Sequence, residues 1–381
     1  MAFNTFCLYA DRRACLQTAE AVMARSRALE DDPFKAMVQG SSASINLYLK
    51  GWQERDAELC ARAIEQTAGA HNHGTLIRRY GIEGILDCWQ SRYEEARRCA
   101  TEGKRLARAV GDIYVFVLFN VLESTALIHL GEWRDLQRET TTALELASTN
   151  ANDPAIALCL LTLAWMHVEA MDFEGACKLC EDVDDSVFRE TQFAIFFKRA
   201  VLAKAFVGMN DLVRAREQFE DIRRCMEDDG IPIDFTIATQ LYHCLGEYCL
   251  KIGDMAQARK WAKQLHDYVA PAPDHNHLAQ AYGLFARIAF ASGDPAEALV
   301  HLSRALGIVD NADFPLASWR IYYAAAEIYS KCGEADKAAT YRIRFVDVMR
   351  RLARNFEPDD HLHKTLTTTL KTRTARLEAM A

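Results

Sequence analysis

Apolar and polar positions along this chain sort into helical stripes that recur. Tyr242, Leu245, Gly246 and Cys249 stand at i, i+3, i+4 and i+7, which puts them on one face of a helix. The stripe returns as Tyr282, Phe285, Ala286, Ala289 and again as Tyr322, Ala325, Ala326, Tyr329. Each is followed by a tight turn, Gly253-Asp254, Gly293-Asp294 or Gly333-Glu334, and then by a second helical segment. Stepping back gives the turns Asn210-Asp211, Met171-Asp172, Gly131-Glu132, Ser91-Arg92 and Gly51-Trp52. From the first turn onward the spacings are 40, 40, 40, 39, 43, 40 and 40 residues. A fixed period of this length marks a repeat array. The pattern predicts eight helix–turn–helix units from about residue 37 to about residue 356. Leu16, Ala19, Met23 and Ala24 predict a packing stripe in an incomplete unit before them.

The repeat carries packing content as well as spacing. Seven residues before each turn stands a small residue: Ser44, Gly84, Ser124, Ala164, Ala203, Gly246, Ala286 and Ala326. Five residues after the turn stands Ala96, Ala176, Ala215, Ala258, Ala298 or Ala338, in six of the eight units. Such residues let a unit's second helix approach its first closely. The second helix opens on a capping signature, seen in Asp294-Pro295-Ala296-Glu297 and in Asp254 with Gln257. Asp or Glu holds the cap position in six of eight units, where an anion also suits the helix dipole.

The aromatic–Leu–Gly/Ala stripe, the Gly-Asp turn and the Ala of the second helix resemble the tetratricopeptide repeat. The resemblance is most specific over 239–278, 279–318 and 319–356 and weaker over 37–76 and 77–116. The long unit is similar to the sensor arrays of STAND-type signalling ATPases, such as the MalT-like regulators. The ending RRLARNFEPDDHLHKTL resembles the helix that closes such arrays, while no GxxxxGK[ST] loop or terminal helix-turn-helix is present. The resemblance implies an all-α fold, an open right-handed superhelix of about eight hairpins, with the first helices lining a concave groove. It divides the chain into a partial repeat (1–36), two half-arrays (37–229 and 230–356), and a capping helix with a basic tail (357–381). The single 43-residue step falls at Glu227–Asp234, where Gly230 and Pro232 mark either a longer loop or a hinge.

Composition narrows the partners. Among 381 residues, Lys and Arg total 45 against 53 Asp and Glu, a net charge of −8. No broad cationic field is available for phosphates, which argues against direct nucleic-acid binding. No run approaches about 18 consecutive apolar residues, so no membrane-spanning helix is expected. The N-terminus lacks the features of a signal peptide. Twelve scattered cysteines read as reduced core residues of a cytoplasmic protein.

The groove face of the first helices predicts the binding residues. These are Gln240, His243 and Glu247, then Gln280 and Arg287, then Arg320, Tyr323 and Glu327. Stepping back from Glu247 adds Lys204 and Trp165. The ladder Lys204–Glu247–Arg287–Glu327 alternates in sign. It reads either as an inter-repeat salt-bridge ladder or as a polar lining for a ligand, with Trp165 and Tyr323 as stacking platforms.

Other motifs read as structural. His71-Asn-His73 and His275-Asn-His277 read as solvated inter-repeat loops, and Cys177-Lys-Leu-Cys180 as core packing within a helix. Asp184-Asp185 and Asp359-Asp360 read as solvated charge. No nucleophile arrangement, metal site or cofactor motif supports catalysis. Residues 341–381 hold nine Lys/Arg against five Asp/Glu, a net of +4. They form either a frayed cap or an arm that docks on acidic surface, including the array's own. The sequence therefore predicts a non-enzymatic recognition module, a regulatory sensor or adaptor for a peptide, protein segment or small inducer. The other reading is a scaffold subunit without a small ligand.

Overall fold

A computed structural model describes residues 12–184, 187, 192–227 and 232–380. Helix α1 (Arg12–Ser26) leads into eight hairpins. They are α2 (Pro33–Lys50) with α3 (Glu54–Gln66), α4 (His73–Trp89) with α5 (Tyr93–Ala109), α6 (Ile113–Leu130) with α7 (Trp133–Thr149), and α8 (Asp153–Glu169) with α9 (Phe173–Glu181). Then come α10 (Gln192–Gly208) with α11 (Leu212–Glu227), α12 (Phe235–Ile252) with α13 (Met255–Val269), α14 (His275–Ala291) with α15 (Pro295–Val309), and α16 (Pro315–Lys331) with α17 (Ala335–Ala353). Helix α18 (His361–Glu378) follows. The fold is an all-α solenoid.

The turns explain the period. Gly51, Ser91, Gly131, Met171, Asn210, Gly253, Gly293 and Gly333 all have positive φ, between 54° and 90°. A left-handed residue there reverses the chain and lets a later N–H reach back into the helix just ended. Thus Asp254 N donates to Cys249 O at 2.9 Å, Asp294 N to Ala289 O at 3.0 Å and Glu132 N to Leu127 O at 2.9 Å.

The acidic caps of the second helices divide by side-chain length. Asp172, Asp211, Asp254 and Asp294 each accept the N–H three residues on. Glu132 and Glu334 make no such bond, because the longer side chain overshoots. Glu297 does not reach back to its cap as expected, since its carboxylate takes the Arg259 guanidinium at 2.6 and 2.8 Å.

A second cap series keeps the same period on the first helices. Asp32, Asn72, Asp112, Asn152, Asp234 and Asp274 each accept the N–H three residues on.

The small-residue column is buried throughout, and at its two glycines the nearest atom lies on the next unit, not on the second helix as expected. A Cβ on Gly246 would lie 2.4 Å from Leu284 Cδ2, and one on Gly84 would lie 2.6 Å from Leu122 Cδ2. Both leucines belong to the next unit's first helix. At these two glycines the tightest approach is between units, while Gly84 also faces Cys99 on the second helix of its own hairpin at 3.5 Å.

First helices pack against one another along the chain, while second helices meet mainly their flanking first helices. The stack consequently curves toward the first helices, which form the inner wall. The curve is tight enough for successive turns of the coil to touch. Ser91, at the α4–α5 turn, meets Asp274 and Asn276 at the start of α14. Gly131, at the α6–α7 turn, meets Pro315 at the start of α16. Asp172, at the α8–α9 turn, meets His361 at the start of α18 at 3.2 Å. Each contact joins a hairpin's turn to the start of the hairpin five places on, so between four and five hairpins complete one turn of the coil.

Several expectations change here. Asn276 and His277 are not loop residues in solvent but buried in the first turn of α14, while His71, His73 and His275 are exposed. His277 Nδ1 lies 2.7 Å from Asp274 Oδ2, and Asn276 Nδ2 contacts both Tyr93 Oη and His129 Nδ1 at 3.0 Å. The axial contact between turns, invisible in local sequence, encloses them. Helix α6 is long and apolar enough to cross a membrane by composition, contrary to expectation, but it is mostly buried in the stack. Cys15 is disulfide-bonded, so the reading of every cysteine as reduced fails there. Ala24 points to solvent; the buried face of α1 runs through Arg12, Cys15, Ala19 and Ser26. Gly230 and Asp185 lie outside the described residues. Pro232 is held by Arg12 Nη1, which donates to its carbonyl at 2.7 Å.

Candidate functional site

The inner wall is built by one register of the first helices. Counting thirteen residues past each cap gives Ile45, Ile85, Thr125 and Trp165 in the first half of the chain, and Glu247, Arg287 and Glu327 in the second. The same count from Asp360 reaches Arg373. Helix α18 thus continues the wall as a ninth first helix, helical from His361 to Glu378.

The predicted ladder forms only in part. Arg287 pairs with Glu247. Lys204 pairs instead with Glu169, one unit earlier, and Arg320 Nη2 reaches the other oxygen of the same carboxylate at 2.7 Å. Glu327 takes Arg376 at 3.3 Å and Lys331 at 3.7 Å, not Arg287. Glu169 outcompetes Glu247 for Lys204 because coil curvature brings α8, α10 and α16 together. Burial alone would raise the Glu169 pKa, but the two cations outweigh it and hold the carboxyl well below its usual range.

The remaining predicted residues divide clearly. Trp165 is not an open stacking platform: it is 2% exposed, its Nε1 donates to Glu169 Oε1 at 3.2 Å, and its ring meets His129 and Phe197 edge-on. Tyr323 is half-buried, edge-on to Phe345, with the Arg373 guanidinium 5.1 Å from its ring centre. Arg373 also covers Trp319 at 4.8 Å. Gln240 donates to Thr236 O at 3.1 Å, and Gln280 is half-buried on the same face. His243 is half-buried, and burial, despite Glu247 beside it, pushes its pKa down to about 3. The structure gathers Lys204, His243, Glu247, Arg287 and Arg320 within electrostatic reach of one another.

Sequence reasoning missed Glu169, Lys251 and Arg373, which join this cluster. It also missed an apolar cleft of about 260 Å³ on the first half of the same wall, lined by residues that include Ile45, Ile85, Val121 and Leu122. Continuing the 40-residue ladder back past Trp165 would have reached Thr125, Ile85 and Ile45.

Among the described residues, one trio could hold a metal: Glu83, Asp87 and Cys99, with ligand atoms within 4.8 Å of one another. Arg92 already pairs with Asp87, and burial pushes the Cys99 thiol up to about 12, so these groups are satisfied as a structural cluster. The Cys177–Cys180 pair fits core packing, with burial pushing Cys180 up to about 12.

Residues 237–311 match the family model of the tetratricopeptide repeat. That segment carries tetratricopeptide-type repeats. The whole helical array overlays a Rap protein complexed with competence and sporulation factor with a TM-score of 0.65 and 11% identity, covering 90% of this chain and 94% of that one. It overlays NprR in complex with its cognate peptide NprX with a TM-score of 0.53 and 14% identity, covering 89% of this chain and 94% of that one. At such identities the likeness speaks for the fold. No curated protein matches the sequence.

Proposed function

We propose that this protein is a non-enzymatic recognition module, a regulatory sensor or adaptor that takes a peptide or protein segment along its inner wall. The observation that carries the reading is the wall itself: one register of the first helices, apolar at one end and charged at the other, with Ile85, Lys204, Glu247, Arg287, Glu327 and Arg373 half-buried along it and Ile45, Thr125 and Trp165 buried. The overlays support it, because the NprR structure is a complex with its cognate peptide and the Rap structure is a complex with competence and sporulation factor. Signalling would follow from the axial contacts. A ligand that changes the angle between units must shift the Ser91–Asp274 and Asp172–His361 contacts, and the outer surface would register that shift. Acting as the sensor part of a larger STAND-type system fits the same mechanism.

The test is a random-peptide library selected on the purified chain, followed by affinity measurement on Arg287→Met. Loss of about tenfold or more in affinity, with the melting temperature changed little, supports recognition at the wall. An unchanged affinity with a lowered melting temperature would assign Arg287 to stability alone. If no peptide or small inducer binds while a protein co-purifies in a stable complex, the scaffold reading replaces this one.

A further inference from the structure

We infer, building on the recognition reading above, that the segment bound is bipartite: an apolar stretch against the first half of the wall and acidic groups against the second. Helix α6 motivates the apolar part. Apart from Asn120, Glu123 and Ser124, which bond to the flanking second helices, its faces are apolar, a pattern that belongs to a helix buried nearly all round. Yet Val115, Leu118, Val121 and Leu122 remain half-exposed and line the cleft beside Ile77 and Ile85. Nothing on this rim competes for a charged ligand except Arg78 and Asp112, which are of opposite sign. An apolar segment there would remove surface that the chain itself leaves wet.

The charged half has a definite sign. Within mutual electrostatic reach stand Lys204, Lys251, Arg287, Arg320 and Arg373, five cations, against Glu169 and Glu247, two carboxylates. Lys204 and Arg320 share Glu169, and Arg287 takes Glu247. Lys251 donates to the Val207 carbonyl at 2.7 Å. Arg373 lies on the Trp319 and Tyr323 rings, and no carboxylate pairs with it among the described residues. The chain as a whole carries −8, so this wall inverts the sign of the molecule. A carboxylate arriving there meets two cations not committed to any anion, in a partly desolvated setting where charge-assisted hydrogen bonds are strongest. A basic segment would meet them as like charges.

The experiment uses the full chain and three fluorescent synthetic peptides. One has an apolar stretch joined to an Asp/Glu stretch, one is its Lys counterpart, and one has the acidic composition shuffled. Fluorescence anisotropy should show the apolar–acidic peptide binding at least about tenfold tighter than the other two, with affinity falling as salt rises. Arg373→Gln and Lys251→Gln should weaken it and flatten the salt dependence. Ile85→Ser and Val121→Ser should weaken it and leave the salt dependence unchanged, with circular dichroism confirming that each variant is folded. Equal or tighter binding of the Lys counterpart overturns the inference, as does indifference to both charge variants. If library-selected peptides of another composition bind and are sensitive to Arg287→Met, the bipartite class falls while wall recognition stands. If no peptide binds at all, both fall.

Discussion

Individual residues set the geometry of the repeat, and two glycines separate the ways they do so. Gly253 has φ of 80° with nothing near its Cβ position, so only backbone strain opposes a side chain. Gly253→Ala is expected to cost about 1 kcal/mol, the price of a left-handed conformation. Gly246 has ordinary helical geometry, but a Cβ there would collide with Leu284. Gly246→Val is expected to cost about 1–3 kcal/mol through overpacking between units. Urea unfolding of both variants checks the order, and a smaller loss at Gly246 would show that Leu284 swings aside freely. Both positions were legible in the sequence, because turn residues and small residues keep phase with the helical period. The burial of Trp165 was not. Its place in the register is local, but its coverage by Phe197 and His129 depends on neighbouring units.

At the scale of the element, each helix is bounded by its caps, and cap chemistry explains which acids matter. Asp254 accepts the Gln257 N–H at 3.0 Å, whereas Glu132 caps nothing through its side chain. Asp254→Ala is expected to lose about 1 kcal/mol, and Glu132→Ala to change stability by no more than about 0.5 kcal/mol. Thermal unfolding of the pair tests this; equal losses would show that the dipole and not the hydrogen bond carries the effect. Helix α18 shows where element-level reading falls short. Its Thr-rich sequence reads as weakly helical, and only Leu362, Leu366 and Leu377 are buried. Tertiary partners secure it instead: His361 meets Asp172, Arg376 meets Glu327, and Ser330 donates to Met380 O at 2.8 Å. Those partners sit on other units, so no window of local sequence could supply them.

Across the whole molecule, the axial contacts make the coil sensitive to pH. His129 is buried between turns against His277 and Tyr93, and burial, then the neighbouring His277, lowers its pKa well below the usual histidine range. His243, on the wall, is lowered to about 3. Both are neutral in the folded protein but take up protons in the unfolded chain near pH 6.5, so the unfolded state gains protons first as pH falls. Stability is therefore full above about pH 7 and declines below it. Each depressed group contributes on the order of 1.4 kcal/mol of that loss per pH unit below about 6.5. The melting temperature should drop from pH 7.5 to pH 5.5, and His129→Gln should make that drop shallower. A flat profile in the parent protein would contradict the burial of these rings.

What the sequence by itself determined is the unit: its length, its left-handed turn, its small-residue contact and its second-helix caps, all of which follow from interactions within about one period. What only the tertiary structure decided is which units meet. Successive turns of the coil touch, so Arg12 finds Asp234, Ser91 finds Asp274 and Arg320 finds Glu169 across 151 to 222 residues. The angle between adjacent units is set by side-chain packing summed over the whole stack. A small change in that angle would move every such pairing, which is why the ladder's partners could be placed on one face by counting but not matched by it.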